Sequence, residues 1–312
     1  MPEGSEPCQG NCRNQEDDGG APGLSLPSGF SQEAVAGIRQ RLSDIEATGV
    51  SIPLAIESGS RAWGFPSPDS DYDCRFIYIR SVRDHLQLEM ARDVIEFPIV
   101  GEIDTGGWDL KKALLLAFAG NAVVAEWAKS PITYQQDERF RKRLLAVLDE
   151  IIEPEKVSRH YLGLARSHLS RVGSLGLEVK LKKLFYLIRP IVALDWMAQH
   201  DFQRLPPMNI IECLSDLKID EKAKLDILDL IEKKKLTREM GLGSVPAALK
   251  LYLESRYGFH ELNMPRLEEK VTRKNSTRFA VAQEFYTNEV ALFSELTTEP
   301  KRKLSISPSI AR

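Results

Sequence analysis

The sequence predicts an α+β fold in which a small mixed β-sheet with flanking helices is followed by a helical C-terminal region. Apolar and polar residues alternate with a period of two at 71–80, which indicates a strand. Apolar residues at helical spacing precede this strand at 31–49 and dominate the chain from Trp108 onward. With 43% hydrophobic and 28% charged residues among 312, the composition is typical of a soluble globular protein.

The elements of the sheet region are predicted in chain order. Ser31 is placed to cap a first helix, because serine at this position accepts a hydrogen bond from a free backbone N–H. The apolar run at 51–57 predicts a strand that is followed by small residues. After a loop with two prolines, the segment 71–80 predicts the next strand, and 93–107 predicts one or two more that end at a pair of glycines. The sheet is therefore expected to have three to five strands.

The chain is expected to divide into four parts. Residues 1–28 and 298–312 are rich in Gly, Pro, Ser and charge, so they predict disordered tails. Residues 29–135 contain the sheet and its flanking helices, and 136–297 read as a helical C-terminal domain. The segment with the glycine–serine pair and the aspartates lies in the first of these two domains.

Composition and charge exclude several classes of function. The net charge of −3 and the pI near 6.1 give no overall preference for nucleic acid or anionic membranes. No apolar run approaches the roughly 20 residues that a membrane span needs, and the N-terminus lacks an export signal. The four cysteines lack the spacing of a zinc site. We therefore expect a cytoplasmic protein with reduced thiols and no membrane contact.

One short segment combines a glycine–serine pair with two aspartates. Gly59 and Ser60 follow the predicted strand at 51–57, where a tight turn is expected, and Asp71 and Asp73 come eleven and thirteen residues after Ser60. Glycine lets the backbone approach a ligand closely. Backbone N–H groups and a serine hydroxyl can hold phosphate oxygens there. Positions i and i+2 of a strand share a face, so the two carboxylates are expected to project together.

Two adjacent carboxylates point to a divalent metal. Their mutual repulsion raises a pKa and destabilises the fold unless a cation compensates it. Mg²⁺ takes a few carboxylate oxygens together with substrate phosphates and water, and Mn²⁺ is an alternative. Two such ions about 4 Å apart stabilise the attacking and leaving oxygens of a displacement at phosphorus. Ile77 and Ile79, further along the carboxylate face, are expected to anchor the strand in the core.

The motif resembles that of the nucleotidyltransferases of the DNA polymerase β superfamily, in which Gly-Ser is followed after about ten residues by Asp-x-Asp. The fuller string GSRAWGFPSPDSDYDCRFIYI, with the later GGWDL and SPITY segments, resembles the RNA-repair-associated polymerase-β-like family of the RlaP or YcgL type. This resemblance covers roughly residues 50–290. It implies a polymerase-β-like catalytic domain that transfers a nucleotide from an NTP to an acceptor hydroxyl, with RNA as the expected acceptor and pyrophosphate as the product.

The resemblance also implies a third carboxylate from a neighbouring strand, as metal ligand and general base. Asp104 is the candidate. Asp109 is an alternative, although an aspartate there also suits the start of a helix. Glu102 shares the expected face of Asp104 and stays open as well.

Five further residues are candidates for binding the nucleotide. Arg61 is either a phosphate contact or a surface charge, and Arg75 is either a nucleotide contact or a salt-bridge partner of the aspartates. Lys182, Tyr186 and Arg189 recur at i, i+4 and i+7, so they share one helical face. A polar stripe on such an apolar helix indicates a face turned to a cleft, where it could grip a triphosphate or an RNA backbone. A solvated helix face is the alternative.

Two other functions remain compatible with the sequence. The nucleotide could be transferred to a protein side chain instead of RNA. The chain could also be a catalytically silent nucleotide- or RNA-binding module, although the intact Asp71 and Asp73 pair argues against this. The identity of the NTP, the number of nucleotides added and the oligomeric state stay open.

Overall fold

The computed structural model describes residues 26, 29–89, 91–238, 240–264 and 272–298. The two tails expected to be disordered, 1–28 and 298–312, lie almost entirely outside these residues, and so do Cys8 and Cys12. Cys74 and Cys213 are buried free thiols.

The first half of the chain builds a sheet with helices around it. Its elements in order are α1 (Gln32–Glu46), β1 (Ser51–Glu57), α2 (Gly59–Trp63), β2 (Tyr72–Ile79), α3 (Val82–His85), β3 (Val94–Glu96), β4 (Ile103–Asp109), α4 (Leu110–Phe118), α5 (Ala122–Lys129) and β5 (Thr133–Gln136). The Ser31 hydroxyl accepts a hydrogen bond from the Ala34 N–H, so the predicted cap of α1 is confirmed.

The five strands form one mixed sheet in the order β3-β4-β2-β1-β5. β2 lies antiparallel to β1 and parallel to β4, while β1–β5 and β3–β4 are antiparallel pairs. The prediction of three to five strands is confirmed. The prediction that the last strand ends at its glycines is wrong, because β4 continues through Gly106 and Gly107 to Asp109. A Cβ on Gly107 would lie 2.2 Å from the ring of Phe76, so glycine is needed there for close packing between strands.

Each face of the sheet covers a separate core. One face packs under α1, which contributes the apolar stripe predicted from the sequence: Val35, Ile38, Leu42 and Ile45. The other face supplies Ile77 and Ile79 to the main core, which extends into the helical half. The predicted anchoring of β2 by these two isoleucines is confirmed. Since Asp73 and Arg75 alternate with the residues under α1, they lie on the face that meets the helical half.

The second half of the chain is helical, as predicted. Its elements are α6 (Glu138–Ile151), α7 (Pro154–Val172), β6 (Val179–Lys180), α8 (Leu181–Gln199), α9 (Ile210–Asp216), α10 (Glu221–Leu236), β7 (Leu242–Gly243), α11 (Ala247–Asn263) and α12 (Thr272–Thr298). β6 and β7 form a short antiparallel pair that joins the start of α8 to the chain after α10. The domain boundary at 135/136 stays a prediction. No helix in the described part of the chain is long and apolar enough to cross a membrane.

Candidate active site

The predicted carboxylates meet where two parallel strands begin. Asp73 on β2 and Asp104 on β4 are register partners, and their side chains are 28% and 31% exposed. Arg75 joins them: its Nη2 lies 2.6 Å from Asp104 Oδ2 and 3.7 Å from Asp73 Oδ1. Its Nη1 also donates to the backbone oxygen of Asp104 at 3.2 Å. Arg75 is therefore the salt-bridge partner of both carboxylates, and its contact with a nucleotide stays a prediction.

Burial and like charge act together on Asp73. Burial raises the pKa of this carboxyl, and the charges of Asp104 and Asp71 raise it further, while Arg75 and Arg61 oppose the shift. One guanidinium thus only partly compensates the negative charge gathered here. An additional cation, or the positive end of a ligand, would be bound favourably at this edge of the sheet.

Gly59 lies directly against the Asp73 carboxylate. Its φ of +62° belongs to the left-handed region, and a Cβ at this position would lie 1.9 Å from Asp73 Oδ2. The turn expected at Gly59 and Ser60 is instead the start of the short helix α2. The Ser60 hydroxyl donates to Ser70 Oγ at 2.9 Å, so in this structure it fastens the loop before β2. Whether it also contacts a phosphate stays a prediction.

Arg61 holds backbone in place. Its guanidinium donates to the carbonyl oxygens of Asp71, Gly29 and Ser70 at 3.2, 3.2 and 2.7 Å, and it lies 4.1 Å from the ring centre of Tyr72. The two alternatives from the sequence were a phosphate contact and a surface charge. Three of its five N–H donors are used on backbone oxygens, and its contact with a phosphate stays a prediction.

Helix α8 brings two of its three predicted residues to a surface. Burial and the charges of Asp73 and Asp71 raise the pKa of Tyr186, so its hydroxyl lies within electrostatic reach of the carboxylates. Lys182, one helical turn earlier, is exposed. Tyr186 also contacts aromatic neighbours: its ring stacks on His168 at 5.5 Å and meets Trp63 edge-on at 6.0 Å.

Arg189, the third member of the stripe, does not face a cleft. It is buried, and its Nη2 forms an ion pair of 2.7 Å with Glu126, which is buried as well. Its guanidinium covers the ring of Trp63 at 4.5 Å. The expectation that Arg189 faces a cleft is wrong, because this residue, seven positions after Lys182, points into the interior of the helical half.

The three candidates for the third carboxylate occupy different places. Only Asp104 shares a cation with Asp73. Asp109 caps α4, accepting the Lys111 N–H at 2.8 Å, and it pairs in register with Tyr78 at the far end of the strands. Glu102 is exposed and precedes β4. The geometry therefore favours Asp104.

The donor set fits a divalent metal in part. In the described part of the chain, no group of three or more His, Cys, Asp or Glu side chains is arranged so that it could hold a metal ion. Asp73 and Asp104 nevertheless offer two partly exposed carboxylates that both pair with Arg75. Mg²⁺ is commonly bound by one or two carboxylates plus substrate phosphates. These two residues suit that role, and the addition of Asp71 stays a prediction.

Two functional candidates were missed by the sequence reasoning. Lys234 is buried on α10, with its ammonium 4.5 and 5.1 Å from the ring centres of Phe65 and Phe185. Burial lowers its pKa to about 8, and the charge of Lys182 acts in the same direction. Lys234 continues the apolar spacing of Ile227 and Ile231, which is the signal that could have found it. Glu57 is the other, a fully buried carboxyl at the end of β1 whose pKa burial raises to about 8.

The Lys234→Met variant is expected to be more stable than the unchanged protein at pH 7. The folded pKa of about 8 lies below the ordinary 10.5, so the unfolded chain binds the proton more tightly and the charged lysine destabilises the fold. Allowing for the lost ring contacts, the gain is roughly 1 to 2 kcal/mol. It should shrink as the pH rises from 8 to 10.5, which urea unfolding at several pH values measures. The exposed neighbour Lys233→Met is the control, and a Lys234→Met protein that is less stable at pH 7 would contradict the assignment.

A known protein family matches most of this chain. The family model RlaP, described as an RNA repair pathway DNA polymerase beta family, matches residues 36–285. The chain belongs to the RlaP family. The RlaP match contains the strands that carry Asp73 and Asp104 and the helix that carries Tyr186. It confirms the resemblance seen in the motif, and RlaP membership supports a nucleotidyltransferase-like function in the polymerase β superfamily.

Individual proteins similar to this RlaP chain add little about its substrate. One is 39% identical over 210 residues, which are 66% of this chain and 80% of the relative: the "Uncharacterized protein YcgL" of Bacillus subtilis (strain 168). A nucleotidyltransferase-like protein from Exiguobacterium sibiricum 255-15, of known structure, matches with a TM-score of 0.27 and 11% identity over 83% of this chain and 80% of its own. This likeness is too weak to show a shared structure or function.

Proposed function

We propose that the protein is a Mg²⁺-dependent nucleotidyltransferase that joins a nucleotide from an NTP to a hydroxyl of RNA and releases pyrophosphate. One observation carries the proposal: Asp73 and Asp104 lie side by side on parallel strands, with their charge only partly compensated by Arg75. The resemblance to the polymerase β superfamily implies acidic groups of this kind at the site of reaction, which supports the proposal.

The three aspartates and Gly59 each have a part in the proposed reaction. Asp73 and Asp104, joined by Asp71, would hold the metal, with Mn²⁺ able to replace Mg²⁺. When bound, the metal supplies positive charge for a displacement at phosphorus. Asp104 is also the proposed base for the acceptor hydroxyl. Gly59 leaves room for the Asp73 carboxylate, which occupies the space that a side chain would take.

The nucleotide is proposed to lie between α2 and α8. Tyr186 offers a phenol within electrostatic reach of Asp71 and Asp73, and Lys182 adds a positive charge one helical turn away. The ammonium of Lys234 is close enough to Lys182 for the charge of Lys182 to lower its pKa. The two charges together make the potential of this region more positive.

A transfer assay tests the reaction. The full chain is incubated with each of the four α-³²P-labelled NTPs, Mg²⁺ or Mn²⁺, and a panel of RNAs with free 3′ hydroxyls. Label that becomes attached to RNA, with release of pyrophosphate and complete suppression by EDTA, is the expected result. Label on protein would replace RNA by a protein acceptor, and NTP binding without turnover on any acceptor would contradict the enzymatic proposal.

The RNA acceptor is supported by a basic surface beside the proposed nucleotide position. The start of α8 meets the chain after α10, where the Leu181 N–H donates to the Gly241 carbonyl oxygen at 3.1 Å. The residues of this basic surface are exposed cations: Lys180, Lys182, Lys183, Lys233, Lys235 and Arg238. Within the described residues, only Lys235 among them has an acidic partner, Glu232 at 2.7 Å. Such a group of unpaired cations suits a phosphate backbone.

The Lys182→Gln/Lys183→Gln variant is expected to bind single-stranded RNA about tenfold more weakly, because two phosphate contacts are lost. The slope of log affinity against log salt should become shallower by about 1.4. Fluorescence anisotropy with a labelled RNA at several salt concentrations measures both. Lys222→Gln/Lys224→Gln, at the opposite end of α10, removes the same charge and should leave the affinity unchanged. Equal losses in the two variants would contradict a localised RNA surface.

A further inference from the structure

Glu57 is a buried acid that the proposed reaction does not use. It is the last residue of β1, its exposure is 0%, and it pairs in register with Cys74 of β2. Beyond it the chain turns into α2 at Ser58, so the register of β1 with β2 ends at Glu57. An N–H of β2 at this level needs another acceptor, because a buried N–H without one costs about 1 to 3 kcal/mol.

The Glu57 carboxyl supplies that acceptor. Its Oε1 accepts the backbone N–H of Asp73 at 3.1 Å, and its Oε2 accepts the hydroxyl of Tyr134 on β5. The Asp73 carbonyl oxygen in turn accepts the Ser58 N–H at 2.8 Å. Both backbone groups of Asp73 are thus held by the two residues at the end of β1.

A second set of bonds fixes Glu57 itself. Its N–H donates to the Ile132 carbonyl oxygen at 3.0 Å, and its own carbonyl oxygen accepts the Ser130 hydroxyl at 2.7 Å. Tyr134 is 3% exposed and belongs to the core under α1. Residues 130–134 therefore hold both the backbone and the carboxyl of Glu57. Glu57 in turn bonds to Asp73, the candidate metal ligand.

We infer that Glu57, oriented by Tyr134, is the positioning residue of Asp73: it fixes the backbone from which the Asp73 carboxylate reaches the metal and substrate. The inference rests on the proposed function only in giving Asp73 that role. Partners one step behind a metal ligand commonly change metal affinity 10- to 100-fold when they are removed. Glu57 would act on the backbone of the ligand, whereas such partners more often act on its side chain.

Three variants of the full chain separate positioning from simple stability. Glu57→Leu removes the acceptor, and Glu57→Gln keeps an oxygen for the Asp73 N–H. Tyr134→Phe leaves the carboxyl in place and removes only the hydroxyl that orients it, so it keeps the test valid if Glu57→Leu fails to fold. The control is Glu126→Gln, because Glu126 is also buried and accepts the hydroxyl of Tyr161 at 2.6 Å. This change also breaks the ion pair of Glu126 with Arg189, so it reports the effect of destabilisation away from Asp73.

Two measurements without nucleotide are made on each variant. The affinity for Mn²⁺ is followed by electron paramagnetic resonance, and amide hydrogen exchange is followed over residues 71–77. We expect Glu57→Leu to weaken Mn²⁺ binding about 10- to 100-fold, Tyr134→Phe to weaken it about threefold, and Glu57→Gln to restore it to within about threefold. Exchange of the Asp73 amide should accelerate about tenfold or more in Glu57→Leu, because its hydrogen bond is lost.

The outcomes distinguish this inference from the proposed function. Suppose that the wild-type protein binds Mn²⁺. If Glu57→Leu then has the same Mn²⁺ affinity, or the same exchange rate at the Asp73 amide, the role of Glu57 is overturned and the metal site is not. An equal loss of affinity in Glu126→Gln also overturns it, since the effect would then be general destabilisation. Failure of the unchanged protein to bind Mn²⁺ at all overturns the proposed metal site.

Discussion

Asp73→Asn is expected to lower the rate of nucleotidyl transfer about 10³-fold, which corresponds to the several kcal/mol of charge stabilisation that a catalytic metal supplies. Asparagine keeps the size of the side chain but removes one of the two carboxylates that face Arg75. The fold should be as stable as before or more so, because burial and the neighbouring acids already oppose the charge of Asp73. Transfer rates and urea unfolding of the same preparation measure the two effects.

Companion variants identify the third carboxylate. Asp104→Asn should show a loss of similar size, whereas Glu102→Gln should keep transfer within about threefold of the unchanged protein, since surface substitutions rarely have large effects. Asp109→Asn should keep both transfer and stability close to those of the wild-type protein, because asparagine caps a helix as well as aspartate does. Transfer that survives in Asp71→Ala/Asp73→Ala would rule out the proposed mechanism altogether.

Gly59→Ala is expected to lower transfer about 100-fold, the loss typical of a reacting group displaced by about 1 Å. The added methyl group would lie 1.9 Å from Asp73 Oδ2, so the carboxylate must move. The φ of +62° adds about 1 to 2 kcal/mol of backbone strain, which lowers stability as well. Transfer rate and Mn²⁺ affinity are both measured, and both should fall.

A matched glycine separates strain from collision. Gly241 has the same φ of +62°, and nothing lies within 4 Å of the position its Cβ would take. Gly241→Ala should therefore lose similar stability but keep transfer and Mn²⁺ affinity. If the two variants lose activity to the same extent, the close approach of Gly59 to Asp73 has no role in the reaction.

Local patterns in the sequence predicted most of the sheet region. The cap at Ser31, the apolar stripe of α1 and the alternation in β2 depend on neighbouring residues, so they could be read directly. The same alternation placed Ile77 and Ile79 on the carboxylate face and in the core. The α+β class and the helical second half followed from these patterns.

Features that depend on distant residues could not be predicted. A pair of glycines indicates the end of a strand, but Gly107 of β4 is required by the ring of Phe76 on the neighbouring strand. Arg189 looked like a cleft residue because its partner Glu126 belongs to another helix. Arg61 fastens carbonyl groups whose positions only the folded loop defines. For the same reason, no local sequence pattern predicts the hydrogen bonds of Glu57 with Asp73 and Tyr134.

The parallel pairing of β2 with β4 also determines where the chain can be lengthened. Asp73 meets Asp104 because the two strands pair in register. One residue added within β4 would turn Asp104 to the opposite face. A reporter peptide added among the exposed residues 86–89 would lengthen only the connection, and the entropic effect of a longer loop grows slowly. This loop is therefore a suitable position for a fluorescent label or an affinity tag.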